Sequence, residues 1–168
     1  MKSRMKNRSD SLIPSSATRS DLLVMDEWSQ AGVTRYQDHV IAHLLGATAL
    51  GYFIMDDAAY VLLDIALIWT VYTSGEMALM PQAVVIADLE ADEKVKAELQ
   101  ADVDSLHRGE TERLARLTPM PQEFLITDVN IYARGERRRV VLRAEDMGFT
   151  FEGSPETGEI DAKEVFSF

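Results

Sequence analysis

The chain has 168 residues, 46% hydrophobic and 27% charged, which is ordinary globular composition and long enough to bury one sizeable core. Its 17 basic and 28 acidic residues leave a formal charge of -11, which argues against a surface that attracts nucleic acid or an anionic membrane as a whole. With no cysteine, a disulfide framework, thiolate metal sites and a cysteine nucleophile are excluded, and a reducing, cytoplasmic setting fits.

The charge is uneven. Residues 1–20 carry Lys2, Arg4, Lys6, Arg8 and Arg19 against Asp10, a net +4, whereas 21–80 carry Arg35 alone against eight acids. The first segment is Ser-rich and nearly free of large apolar side chains, so it is predicted to be a disordered basic tail ahead of a single domain over 21–168. Only Leu12 and Ile13 stand together before Pro14, so the apolar run of an export signal is missing. The tail reads as a solvated terminus or as an electrostatic arm for an acidic partner or the chain's own acidic body.

A short helix is expected between Asp21, as N-cap, and Gly32. Thr34 caps the next candidate, in which Tyr36, Val40, Leu44 and Ala47 recur at helical spacing. Residues 47–72 are the apolar centre of the chain. Their β-branched and aromatic content favours strands turning at Asp56-Asp57, yet so apolar a run also reads as two helices joined there. A membrane hairpin is disfavoured because His43 and Asp64 interrupt the apolar runs.

Thr73–Glu76 should turn, MALM should form a short apolar segment ending at Pro81, and 83–89 suits either a strand or a helix entry. From Asp88, Val95, Leu99, Val103 and Leu106 make the best-defined amphipathic stripe, ended by Gly109. A shorter helix is expected over ETERLARL, and Thr118-Pro119-Met120-Pro121 should then break the chain. Beyond Pro121 the pattern is β, with a hairpin pairing NIY with RVVLR around the ARGER turn. Because helices and strands are segregated, the expected class is α+β: N-terminal helices and a buried apolar strand region, a central amphipathic helix, and a C-terminal antiparallel hairpin or meander.

Four groups of residues have chemical potential. His39 and His43 lie one helical turn apart and form a workable pair of metal ligands if a carboxylate such as Asp64 or Asp56 joins them. The alternative makes them ordinary helix-surface or satisfied histidines, and the zincin H-E-x-x-H pattern is absent. Asp64, inside an apolar run, is either a turn residue or, with His43, an acid, base or ligand at a pocket floor. Asp56-Asp57 and Glu76 read as loop residues. Arg134, Arg137, Arg138, Arg139 and Arg143 form the folded basic cluster; on a strand, Arg137, Arg139 and Arg143 share a face with Val141. They suit phosphate or nucleic-acid binding, with Tyr132 or Phe151 for stacking, or pairing with acids such as Glu152, and the surrounding acidity prefers the second.

No hydrolase elbow, Rossmann fingerprint or P-loop occurs. The sequence therefore supports a non-enzymatic protein working by contact with a protein partner or by homo-oligomerisation, with Arg137, Arg139, Arg143, Trp69 and Tyr72 as candidate contact residues. A metal-dependent enzyme or small-ligand binder using His39, His43 and Asp64 or Asp56 is the alternative, and nucleic-acid binding through the arginine hairpin the next. No cofactor is indicated, a divalent metal being the open exception, and no membrane span is expected.

Overall fold

The computed structural model describes residues 28–165. In chain order the elements are β1 (Ser29–Gln30), α1 (Arg35–Leu44), β2 (Thr48–Met55), β3 (Ala58–Leu63), β4 (Leu67–Tyr72), β5 (Met77–Pro81), α2 (Gln82–Asp88), α3 (Glu93–His107), β6 (Thr118–Leu125), β7 (Asp128–Arg134), β8 (Arg137–Arg143), β9 (Gly148–Ser154) and β10 (Glu159–Val165). The structure is thus mixed α and β, with antiparallel pairing throughout.

The apolar centre is β2, β3 and β4, not a pair of helices. Its continuous hydrophobicity follows from its position in the middle of a five-stranded sheet, ordered β5-β4-β3-β2-β6, that is covered on both faces. One face carries Val61, Leu63, Trp69 and Val71 against Val140, Leu142, Phe149 and Phe151 of the second sheet, ordered β1-β7-β8-β9-β10. The other carries Phe53, Leu62 and Ile68 against Val85, Ile86, Leu99 and Val103 of α2 and α3. The result is three layers: sheet, sheet, helices.

Two glycines sit where neighbouring elements leave no space for a side chain. A side chain at Gly153 would place its Cβ 2.8 Å from the Thr73 carbonyl oxygen, and one at Gly51 would lie 2.7 Å from Leu106 Cδ1. Neither site has room for a larger residue.

Helix α1 starts as expected: Thr34 Oγ1 accepts the Gln37 amide at 3.0 Å, while Gln37 Oε1 accepts the Thr34 amide at 2.8 Å, a reciprocal cap. Its buried Val40 and Leu44 join the inter-sheet core. Residues 83–89 resolve mainly as helix α2, and α3 begins at Glu93, with Asp92 Oδ1 accepting the Val95 amide at 2.9 Å.

Three expectations are corrected. The short helix expected from Asp21 lies mostly outside the described residues, and its described portion includes the strand Ser29–Gln30. ETERLARL is not helical; Asp102, 3% exposed on α3, accepts the amides of Ala115, Arg116 and Leu117 at 3.0, 2.6 and 2.9 Å and fixes that segment as a loop. Thr118–Pro121 does not break the strand pattern but begins β6, an edge strand, where a missing ladder donor is tolerated.

Candidate functional site

Helices α2 and α3 cover only part of their sheet face. Strand pairing places Tyr60 opposite Thr70, with Tyr72 and Ala78 farther along on the same face. This part forms a groove of about 330 Å³ floored by Tyr60, Thr70, Tyr72, Ala78 and Met80. Val84, Val85 and Leu89 form one wall. Asp56 and Asp57, from the β2–β3 turn, and Asp88 and Glu90, where α2 ends, add carboxylates to the lining.

Tyr72, Met80 and Val84 remain 38%, 44% and 40% exposed, although they are large and apolar or aromatic. No Lys or Arg lines the groove among the described residues, and its four acids make no ion pair there. Burial, then the charges of Tyr72, Asp57 and Asp56, raises the Tyr60 hydroxyl above its ordinary value. A partly aromatic floor beside carboxylates that make no ion pair among the described residues suits a ligand that is part apolar and part cationic. A depression of about 440 Å³ near Ser105 and residues 109–113 is larger but has no large apolar side chain in its lining.

His39 and His43 are neighbours as their spacing requires, with ring centroids 4.7 Å apart, and both are exposed. His43 Nδ1 lies 3.0 Å from the His39 carbonyl oxygen. They line an open depression of about 340 Å³ with Tyr36, Val40, Leu67 and Leu79; neither Asp64 nor Asp56 belongs to it. Asp64 is exposed in the β3–β4 turn and accepts the Thr48 amide at 3.0 Å, while Asp56 occupies the β2–β3 turn with φ of 56°. No group of three or more His, Asp or Glu residues suited to a metal gathers among the described residues.

The arginine hairpin pairs as its sequence suggests, with Tyr132 opposite Arg139 and Ile131 opposite Val140. Arg139 Nη2 donates to Glu152 Oε1 at 3.0 Å, and Arg137 Nη2 donates to Glu152 Oε2. The Arg139 and Arg134 guanidinium carbons lie 4.1 and 4.8 Å from the Trp28 ring centroid. Part of this cluster is therefore engaged within the chain. Phe151 is buried, so it is not available to stack on an external base, and Arg143 lies at the exposed end of β8.

No family model, curated protein or solved structure matches this chain. Function therefore has to be read from the surfaces themselves. Of the apolar contact candidates, Trp69 is 0% exposed and belongs to the inter-sheet core, whereas Tyr72 is partly exposed. Of the other groove residues only Asp56 was a candidate, as a metal ligand; the rest were missed because the site joins two acidic turns with 30 residues between them. Their one sequence signal was the surplus of acids without nearby bases between 21 and 90. No helix of the described residues is long and apolar enough to cross a membrane.

Proposed function

We propose that this protein acts by protein–protein contact and that the groove over β3, β4 and β5 receives a basic polypeptide segment bearing some apolar side chains. The observation that carries this reading is the exposure of Tyr72, Met80 and Val84 beside Asp56, Asp57, Asp88 and Glu90. Burying a large apolar side chain contributes roughly 1.5–3 kcal/mol. Because Tyr72, Met80 and Val84 are already about 60% buried, docking on them adds roughly 2–4 kcal/mol in all, no more than the low end of the association cost, about 4 kcal/mol, so the contact is transient and depends on its charges. A groove-to-groove dimer would bring two acidic rims together, which favours a different, basic partner over a second copy.

The test is a chemical-shift titration with a short synthetic peptide built from a repeated Lys-Leu-Arg-Ser unit, compared with its Glu-Leu-Asp-Ser counterpart. Shifts centred on Tyr60, Tyr72, Met80 and Val84 for the basic peptide alone are expected. Equal responses to both peptides, or shifts centred elsewhere, contradict the proposal.

A further inference from the structure

The chain itself contains a segment with the chemistry that the groove selects. Residues 1–20 carry a net +4, and Lys2, Arg4, Lys6 and Arg8 fall at every second position. In an extended chain such positions share one face about 6.6–6.8 Å apart, so four cations span roughly 20 Å, while Met1 and Met5 face the other way. The groove supplies four acids that make no ion pair among the described residues, and a floor that includes Met80 and two tyrosine rings.

We propose that the basic stretch Lys2–Arg8 docks in the acidic groove of its own molecule and acts as an internal competitor for the partner segment. This rests on the groove being the contact surface. Its occupant is assigned from charge complementarity and from the tether. Residues 9–27 join the basic stretch Lys2–Arg8 to Trp28, the first described residue, and 19 residues at about 3.3–3.6 Å each reach up to roughly 65 Å, more than the roughly 40 Å across a domain of this size. Docking within one molecule is preferred over exchange between copies because covalent connection supplies an effective concentration of order 1 mM. If the segment's intrinsic Kd is about 0.1 mM, the competitor weakens binding of an external basic peptide about tenfold.

The experiment uses the full chain. Its lack of cysteine lets Ser3→Cys carry the sole spin label. Relaxation enhancement should reduce the amide signals of Tyr60, Tyr72 and Met80 by about twofold or more, and replacing Lys2, Arg4, Lys6 and Arg8 with Glu should restore them. The effect should be absent when labelled, NMR-silent chain is mixed with unlabelled, isotope-enriched chain. An effect elsewhere, no effect, or one arising only in the mixture overturns the inference.

The Lys-Leu-Arg-Ser peptide, titrated onto the full chain carrying Lys2→Gln, Arg4→Gln, Lys6→Gln and Arg8→Gln, separates the two claims. Binding at the groove about tenfold tighter than to the unaltered chain supports both. Groove binding with unchanged affinity keeps the contact surface and removes the internal competitor, and no groove binding removes both.

Discussion

Tyr60 stacks on Phe53, with ring centroids 4.7 Å apart and planes 10° from parallel. Phe53 belongs to the core beneath α2 and α3, whereas Tyr60 extends into the open groove. The groove floor is thus fastened to the folded interior, so the groove is a preformed surface.

Tyr60→Phe should preserve this stacking and remove one titration. With burial as the largest cause, the folded Tyr60 ionises above the ordinary tyrosine value of about 10. The unfolded chain therefore loses this proton first. Its contribution to stability is complete below about pH 10 and declines as pH rises through the folded value. Urea unfolding across the alkaline range should give a shallower loss for Tyr60→Phe than for the parent. Identical slopes would contradict this account of Tyr60.

Asp102→Ala should cost about 3 kcal/mol or more, because it strips an acceptor from the amides of Ala115, Arg116 and Leu117. Hydrogen exchange at those three amides should accelerate beyond the change expected from the global loss. Retained local protection would show that the loop is held by something else.

The same carboxylate explains why residues 110–117 were misread. ETERLARL has helix-forming residues and a Leu114–Leu117 spacing, but tertiary hydrogen bonds to Asp102 use the loop amides and override local propensity. By contrast, the hairpin around Gly135 and the Thr34 cap were legible because short-range turn and cap chemistry determines them. Residues 47–72 stayed ambiguous because burial on both sheet faces erases the alternation that identifies a strand. The groove was less legible still: it depends on how much of the sheet α2 and α3 cover, and no local pattern records that.

Gly153→Ala should destabilise the fold by roughly 1–3 kcal/mol. The added methyl meets the Thr73 backbone, with its Cα 2.7 Å and its carbonyl oxygen 2.8 Å away, and no side-chain rotation can relieve that contact. Urea midpoints compare the variant with the parent. An unchanged midpoint would mean that the two sheets separate locally without cost.

Arg139→Ala should loosen Trp28 while leaving Trp69 buried. The guanidinium 4.1 Å from the Trp28 centroid contributes about 0.5–1 kcal/mol at an exposed site. In a Trp69→Phe background, acrylamide quenching of Trp28 should increase on removal of Arg139. Unchanged quenching would indicate that Arg134, 4.8 Å from the same centroid, and β1 pairing hold Trp28 without Arg139.

The central claim is that a defined groove, not diffuse acidity, selects the basic segment. The most direct measurement compares the Kd of the Lys-Leu-Arg-Ser peptide for Asp57→Lys/Asp88→Lys with that for Glu159→Lys/Asp161→Lys, which makes the same change in net charge on β10. Exposed ion pairs contribute about 0.2–1 kcal/mol each, and reversal also adds repulsion, so the groove variant should bind about tenfold more weakly at low salt. The β10 variant should stay close to the parent, and the difference should fade near 1 M salt, where the screening length is about 3 Å. Equal weakening by both variants would contradict the account and reduce the interaction to general attraction by an acidic body.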